Sequence, residues 1–221
     1  MSSTPLRFLI TAGPTREFLD PIRYVSNRSS GRMGFAIAEA ALAVSSNVTL
    51  VSGPTCLTAP KGVEFVPVTA AQEMAEAVWS RFGSADICIM AAAVCDFRPK
   101  TTAGSKIKKG SFSGRLELEP TPDILAELGR KRGDRLLIGF AAETENLREE
   151  ARRKLETKNC DMVVANLVGQ ADTGFESDSN EVLLALRTGE FIPLERASKR
   201  EIADRILSQI LKLRRALSVS Q

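Results

Sequence analysis

The chain has 221 residues, 43% of them hydrophobic and 26% charged, and its net charge of +3 is too small to indicate binding to nucleic acid or to a membrane surface. No apolar run has membrane-spanning length and the start of the chain lacks a signal-peptide pattern, so a cytoplasmic location is expected. The absence of histidine excludes Ser-His and Cys-His nucleophile pairs, histidine bases and histidine metal ligands.

The first half of the chain alternates strands and helices. Short apolar runs predict strands, and Ala-rich or amphipathic stretches predict helices. In chain order we predict a strand at 7–12, a long loop at 13–30, a helix at 32–44, strands at 47–52 and 63–68, a helix at 69–82 and a strand at 86–93. The last of these strands is apolar throughout, which is typical of a parallel sheet that is buried on both faces.

The second half is less regular but continues the same pattern. We predict a basic segment at 95–113, a strand at 115–119, a helix at 123–131, a strand at 136–142, a helix at 146–158, a strand at 161–165, a hairpin of 181–187 with 190–194, and a closing helix at 198–213. Alternating strands and helices predict a mostly parallel, doubly wound α/β sheet. The expected fold is therefore one Rossmann-like domain over residues 1–221, with a C-terminal hairpin plus helix.

The long loop between the first strand and the first helix is the first candidate site. It contains the sequence TAGPTREFLDPIRYVSNRSSGRMG, from Thr11 to Gly34. Ligands of open α/β sheets bind beyond the carboxyl ends of strands, and free N–H groups at a helix start attract anions. The candidates for a phosphate or substrate loop are Gly13, Thr15, Arg16, Ser29, Ser30 and Gly31. For Ser29 or Ser30 alone, simple capping of the helix is an equal alternative.

Three further segments carry charged residues in suggestive places. Asp96 follows the fourth strand and could hold a ribose hydroxyl or a metal, or else form a surface pair with Arg98. The run SKIKKG, residues 105–110, could be a basic flap over phosphates, although its spacing favours a solvated charge run. Lys154 and Lys158 share one helix face and could approach phosphates together, or could simply be exposed.

These segments, in this order, resemble the phosphopantothenoylcysteine synthetase family over nearly the whole chain. The shared motifs are ITAGPTRE-x-x-DP-x-RY-x-SNRSSG-x-MG, VTLVSGPT, AAAV-x-DFR, KIKK, PDIL, IGFAAET and D-x-VVAN. The first motif is long and highly specific, whereas KIKK or PDIL alone is not. In PDIL, leucine stands where the family commonly has valine.

The resemblance implies a two-step ligase reaction of coenzyme A synthesis. The carboxylate of 4′-phosphopantothenate attacks the α-phosphate of a nucleoside triphosphate and releases pyrophosphate. The amine of L-cysteine then attacks the acyl nucleotide and releases the monophosphate. The bacterial family usually uses CTP with Mg²⁺, eukaryotic relatives can use ATP, and this chain looks like the bacterial type. The family also implies a homodimer and a functional association with a separate flavin-dependent decarboxylase.

The resemblance also implies roles for individual residues. Asn27 and Lys106 match the catalytic positions, the first beside the acyl-nucleotide intermediate and the second in the flap. Mg²⁺ is expected to be bound mainly through the nucleotide phosphates, with Asp96 as a candidate ligand. The positions that match nucleotide contacts are Ala91, Ala92, Ala93, Asp96, Lys106, Pro122, Asp123, Ile124, Leu125, Phe140, Lys154 and Lys158.

Two other functions compete with the ligase hypothesis. A Rossmann-like sheet also suits an NAD(P)-dependent oxidoreductase, but the chain lacks G-x-G-x-x-G after its first strand. Its single tyrosine, Tyr24, is followed four residues later by Arg28 and not by a lysine. A non-catalytic nucleotide sensor is the third hypothesis, which an assay of turnover separates from the ligase.

Overall fold

The structure of the protein, a computed structural model, describes residues 5–111, 114–143, 145–167 and 179–219; the other residues of the predicted domain, including 112–113 of the basic segment, lie outside the described residues. The helices are α1 (Arg32–Leu42), α2 (Ala71–Phe82), α3 (Ile124–Arg130), α4 (Leu147–Thr157) and α5 (Lys199–Val219). The strands are β1 (Arg7–Ala12), β2 (Arg16–Phe18), β3 (Tyr24–Ser26), β4 (Asn47–Ser52), β5 (Glu64–Pro67), β6 (Ile87–Met90), β7 (Phe97–Pro99), β8 (Leu118–Pro120), β9 (Leu136–Glu143), β10 (Met162–Leu167), β11 (Ser179–Leu186) and β12 (Phe191–Ser198).

Eight strands form one sheet in the order β12-β11-β10-β9-β6-β1-β4-β5. The six strands β10, β9, β6, β1, β4 and β5 are parallel to one another, whereas β11 is antiparallel to β10 and β12 is antiparallel to β11. The predicted mostly parallel, doubly wound sheet with a C-terminal hairpin and helix is confirmed. After β1 the chain adds β4 and β5 on one side of the sheet, and after β6 it adds β9 and β10 on the other side. A topological switch point therefore lies between β1 and β6.

Helices cover both faces of the sheet because each central strand is apolar on both sides. In β1, Phe8 and Ile10 join a core with residues of α1 and α5, whereas Leu9 joins a second core with residues of α2, α3 and α4. Ile10 is fully buried, and burial of such a side chain stabilises the fold by about 1.5–3 kcal/mol. These two cores fix the carboxyl ends of the parallel strands relative to the helices that follow them.

Two short hairpins depart from the sequence prediction. The predicted loop at 13–30 contains the antiparallel pair β2–β3, and the predicted strand at 115–119 is shortened and shifted to β8, which pairs with β7. Each of these strands has three residues, too few for a period of two to be visible in the sequence. Among the described residues, no helix combines the length and apolar character needed to cross a membrane.

Candidate functional site

A cavity of about 410 Å³ opens at the carboxyl edge of the sheet, beside the switch point between β1 and β6. It is lined by residues from the first loop, α1, the segment that follows β6, β9, α4, β10, β11 and α5. The structure brings ten of the candidate residues together there: Asn27, Ser29, Ser30, Gly31, Ala91, Ala92, Ala93, Asp96, Phe140 and Lys154. The cavity therefore gathers segments that are far apart in the chain.

Close packing of glycines places the start of α1 at this cavity. A Cβ atom on Gly34 would lie 2.6 Å from the Cβ of Ala12, so α1 can approach β1 this closely only with glycine. Gly31 precedes α1 with φ of 75°, a left-handed conformation that favours glycine. Ser29 Oγ accepts from the Gly31 N–H at 3.3 Å, and Gly31 itself is the N-cap residue of α1.

Asn27 joins the first loop to the residues that follow β6. Its Nδ2 donates to the carbonyl oxygen of Val94 at 2.9 Å and to that of Ala93 at 3.3 Å. Because the amide nitrogen makes both bonds, the side-chain oxygen is the group that can accept from a ligand N–H. The arrangement suits an acceptor for an amine better than a donor to a carbonyl.

The other three loop candidates make contacts outside the lining of the cavity. Thr15 is fully buried, and its Oγ1 accepts from the Cys95 N–H at 2.9 Å. Gly13 accepts from the Ala93 N–H at 2.9 Å, and Arg16 lies with its guanidinium 4.6 Å from the centre of the Tyr24 ring. None of these three residues lines the cavity as described.

The charge around the cavity is predominantly positive. Among the described lining residues there are four cations, Arg28, Arg32, Lys154 and Lys199, and one carboxylate, Asp96. Burial lowers the pKa of the half-buried Lys154, while the carboxylates of Glu143 and Asp96 counteract this shift. A partly desolvated ammonium in such a site favours an anionic ligand.

Asp96 is exposed and does not pair with Arg98, because Arg98 Nε donates to Glu119 at 2.8 Å across the β7–β8 hairpin. The surface-pair alternative is therefore wrong. Within the described residues, no three Cys, Asp or Glu side chains come together to hold a metal. A single carboxylate can serve a Mg²⁺ ion only if a bound nucleotide and water molecules supply most of the ion's ligands.

The PDIL residues and Lys158 lie outside the lining of the cavity. Asp123 caps α3 by accepting from the Ala126 N–H at 3.0 Å, and it pairs with Lys158. Burial alone would raise the pKa of Asp123, but the hydrogen bonds from Lys158 and Ala126 and the charge of Lys154 outweigh it, so that the pKa is lowered. Ile124 is buried, and the structure brings none of Pro122, Asp123, Ile124, Leu125 and Lys158 into the cavity.

Lys106 is exposed and also lies outside the cavity lining. Its neighbour Ile107 is attached to the β2–β3 hairpin, because its N–H donates to Asp20 at 3.1 Å and its carbonyl oxygen accepts from Arg23 at 2.7 Å. Asp20 is fully buried, and its hydrogen bonds to Arg23 lower its pKa. The basic segment is thus docked on a hairpin beside the site.

Sequence reasoning missed several lining residues at the far end of the cavity. Asn166 stands in the motif D-x-VVAN at the end of β10, so its position at a strand end was a usable signal. Asn180, Val182 and Lys199 come from β11 and from the first residue of α5. No sequence motif marks these three, because their approach depends on the antiparallel addition of the hairpin to the sheet.

Comparison with known proteins gives a consistent family. The model described as the C-terminal domain of DNA/pantothenate metabolism flavoproteins matches residues 4–213. The coenzyme A biosynthesis bifunctional protein CoaBC of Bacillus subtilis (strain 168) is 46% identical over 216 residues, 96% of this chain and 53% of that protein. CoaBC of Escherichia coli (strain K12) is 47% identical over 196 residues, 86% of this chain and 48% of that protein.

A further relative, from an unknown prokaryotic organism, is named cysteine/cysteine sulfinic acid decarboxylase and is 44% identical over 94% of this chain and 58% of that protein. The chain spans about half the length of the curated relatives it matches, so their names describe more than this chain. None of the relatives named here is described as an NAD(P)-dependent oxidoreductase, so that alternative gains no support.

Solved structures confirm the fold. The crystal structure of the C-terminal domain of CoaBC aligns with a TM-score of 0.81 at 45% identity and covers 94% of this chain and 95% of that chain. A Cab2 mutant in complex with phosphopantothenate-cysteine aligns with a TM-score of 0.80 at 18% identity, 98% of this chain and 88% of that chain. The second likeness concerns the fold alone.

Proposed function

The chain belongs to the family of DNA/pantothenate metabolism flavoprotein C-terminal domains, and we propose that it is a ligase of coenzyme A biosynthesis that joins 4′-phosphopantothenate to L-cysteine. The observation that carries this proposal is the cavity at the switch point. It combines a helix start, four cations and one carboxylate, a combination that suits substrates rich in phosphate and carboxylate groups. Homology to the C-terminal part of bifunctional CoaBC proteins supports the same function.

The first step forms an acyl nucleotide. A carboxylate oxygen of phosphopantothenate bonds to the α-phosphorus of the nucleoside triphosphate, and the bond from that phosphorus to the β-phosphate oxygen breaks, releasing pyrophosphate. Lys154 and the first N–H groups of α1 are the groups that would stabilise the charge on the phosphates. Such a step depends on positioning and charge and needs no histidine.

The second step forms the amide. The amine of cysteine attacks the acyl carbon, the C–O bond to the nucleotide breaks, and the nucleoside monophosphate leaves with the electron pair while the amine loses a proton. The side-chain oxygen of Asn27 can accept from the attacking amine, because its nitrogen is already engaged by Ala93 and Val94. Asn27 would thus orient the nucleophile beside the acyl carbon.

CTP is the nucleotide we propose, with ATP as the alternative, and Mg²⁺ is proposed to enter bound to its phosphates. Asp96 is the lining carboxylate that would complete the coordination of the ion from the protein side. Lys106 would act from the docked basic segment if that segment moves towards the cavity when substrates bind. A functional association with a flavin-dependent decarboxylase, the other activity of the proposed pathway, stays a prediction.

We also propose a homodimer. Large apolar side chains are exposed on the two small hairpins, among them Ile22 at 59% and Phe97 at 55%. β2 contacts β7, so the two hairpins are neighbours, and β3 leads directly into Asn27. Apolar surface of this kind marks an interaction site, and a second copy of the chain would cover it next to the cavity. Sedimentation of the purified protein as a monomer at assay concentrations would contradict this.

The decisive experiment is an assay of pyrophosphate release from the purified protein with Mg²⁺, phosphopantothenate and cysteine, with CTP and ATP compared. Release that requires phosphopantothenate is expected, and it should be faster with CTP. Reactions without phosphopantothenate control for simple hydrolysis of the nucleotide. Absence of release with both nucleotides from a folded protein would overturn the ligase proposal and favour the nucleotide sensor.

A further inference from the structure

Neither step of the proposed reaction uses the end of the cavity that β10, β11 and the start of α5 form. We call this part the hairpin lobe and define it by the lining residues Asn166, Asn180, Val182 and Lys199. Between Asn180 and Val182 the register of the hairpin shifts, because β12 has one extra residue opposite them. β12 leads into α5, and bulges of this kind redirect strand ends beside functional sites.

Asn180 is a buried amide with an unpaired acceptor. The residue is 6% exposed, and its Oδ1 finds no hydrogen-bond partner within the part of the chain that the structure describes. Buried polar atoms of native proteins are almost always paired, and an unpaired one calls for an explanation. Because this side chain lines an open cavity, a ligand can supply the missing partner, which has to be an N–H or O–H donor.

The surface beside this acceptor is apolar. Val182 stands two residues further along β11, so its side chain lies on the same face of the sheet as that of Asn180. Val182 lines the cavity and belongs to the core against which Met33, another lining residue, packs. The lobe therefore suits an uncharged donor attached to an apolar group. A phosphate dianion carries no proton to donate, and an ammonium group is poorly solvated beside apolar side chains.

The position of the lobe in the sheet limits which donor of the substrate can reach it. β11 lies three strands from β6, about 14 Å at the usual spacing of strands. Asn27, the proposed neighbour of the acyl carbon, contacts the residues that follow β6. Six bonds separate the acyl carbon from the hydroxyl oxygen of the pantoyl group, and they span about 7 Å when extended. A contact of about 3 Å at each end extends this reach to about 13 Å, whereas the amide N–H of the substrate, three bonds from the acyl carbon, reaches only about 10 Å.

We propose that the hairpin lobe recognises the pantoyl group of phosphopantothenate. The pantoyl hydroxyl donates to Oδ1 of Asn180, and the two methyl groups on the adjacent carbon pack against Val182. One segment of the substrate thus supplies both the donor and the apolar surface. The amine of cysteine stays beside Asn27 and takes no part in this contact. The assignment rests on the proposed ligase function and specifies how its first substrate is selected.

The test combines one substitution with one missing hydroxyl. Asn180→Leu removes the acceptor at similar side-chain size, and a deoxy analogue of phosphopantothenate carries hydrogen in place of the pantoyl hydroxyl. Pyrophosphate release at saturating CTP and cysteine gives kcat/KM for both substrates, with the exposed Asn47→Leu as the matched control. Wild type and Asn47→Leu should prefer the natural substrate by about 10–100-fold, because the analogue leaves Oδ1 unpaired. In Asn180→Leu the preference should fall to less than about threefold, since no acceptor is left to pair.

The outcomes separate the two proposals. Absence of pyrophosphate release from the wild-type protein with either substrate overturns the ligase function itself. Turnover by the wild type without preference for the hydroxyl, or an undiminished preference in Asn180→Leu, overturns only the assignment of the hairpin lobe. A loss of activity with 2′-deoxy-CTP that disappears in Asn180→Leu would assign Oδ1 to the ribose and would also overturn it. If Asn180→Leu does not fold, the same ratio measured for Asn180→Ala decides.

Discussion

The two edges of the main sheet use charge in opposite ways. At the amino edge, carboxylates are matched by cations within the chain. Asp86 accepts from the backbone N–H of Arg7 at 2.9 Å and from its guanidinium nitrogens at 3.0 Å. Asp161 accepts from the Leu137 N–H at 2.9 Å and pairs with Arg132 and Arg187. These contacts hold the starts of neighbouring strands together.

At the carboxyl edge, cations exceed carboxylates. The cavity there is lined by four cations and one carboxylate among the described residues, and burial lowers the pKa of Lys154. Of these cations, Lys154 is half-buried and Lys199 is buried, and a buried charge costs stability unless it is paired. The comparison indicates that the amino edge stabilises the fold and the carboxyl edge is organised for ligands. Substitutions at the two edges should therefore affect different measurements.

The largest effect is expected for Asn27→Asp at the carboxyl edge. A carboxylate cannot donate to the carbonyl oxygens of Ala93 and Val94, so the side-chain oxygen proposed to orient the amine would be displaced. We expect the cysteine step to slow about 10²–10³-fold, whereas formation of the acyl nucleotide should slow less. Quenched-flow measurement of acyl nucleotide and product should show accumulation of the intermediate. An unchanged ratio of the two, with Asn47→Asp as the control, would refute the role of Asn27.

Lys106→Gln should remove most of the activity while leaving the fold intact. The lysine lies outside the cavity, so its contribution requires the basic segment to leave its position on the β2–β3 hairpin. We expect turnover to fall about 10²-fold, the scale for one lost donor at a transition state. Steady-state turnover of Lys106→Gln is compared with that of Lys61→Gln, which is exposed elsewhere. Near-normal turnover would contradict a role for this segment.

Lys154→Gln should weaken nucleotide binding more than Lys158→Gln does. Lys154 lines the cavity, whereas Lys158 pairs with Asp123 outside its lining. Loss of one charged hydrogen bond predicts a rise of about 10–100-fold in the KM for CTP in Lys154→Gln. Initial rates at varied CTP measure it. Equal effects of the two substitutions would show that the nucleotide extends over the Asp123–Lys158 pair.

The smallest effect concerns stability, at the amino edge. Asp86→Asn should lower the free energy of unfolding by about 1 kcal/mol and leave turnover unchanged, because the pair is partly exposed. The hydrogen bond and charge of Arg7 lower the pKa of Asp86, so its contribution is present above the unfolded pKa of about 4 and is lost as the pH falls below that value.

Urea unfolding at pH 7 and pH 3 measures this contribution. The difference between wild type and Asp86→Asn should be clear at pH 7 and should shrink at pH 3. Asp204→Asn is the matched control, because Asp204 forms a more exposed pair with Arg200. A difference that persists unchanged at pH 3 would mean that Asp86 acts through packing and not through its charge.

The sequence predicted the parts of the site that lie at strand ends. Ala91, Asp96 and Phe140 end or follow apolar runs, and parallel strands place such ends at one edge. The short hairpins were not predictable, because three-residue strands show no periodicity. The docking of the basic segment depends on Asp20, whose buried carboxylate joins residues more than eighty positions apart. Its sequence neighbours give no sign of that contact.

Contacts between helices were also beyond the sequence. Lys154 and Lys158 share a helix face, yet Lys154 lines the cavity and Lys158 pairs with Asp123. That division depends on where α3 packs relative to α4. The positions of Asn180 and Lys199 depend on the antiparallel hairpin and on its extra residue, and no periodic pattern in the sequence predicts that residue. Thus the sequence predicted which residues lie at the carboxyl edge of the sheet, but not which residues of other elements contact them.

The central claim is that an acyl nucleotide forms in the cavity at the carboxyl edge. The most direct test is a single turnover with CTP, Mg²⁺ and phosphopantothenate without cysteine, quenched with acid and analysed by mass spectrometry. The account predicts pyrophosphate and 4′-phosphopantothenoyl cytidylate in equal amounts, and conversion to amide and CMP when cysteine is added. Cytidine diphosphate together with 4′-phosphopantothenoyl phosphate would instead show attack of the carboxylate at the γ-phosphate and would contradict the account.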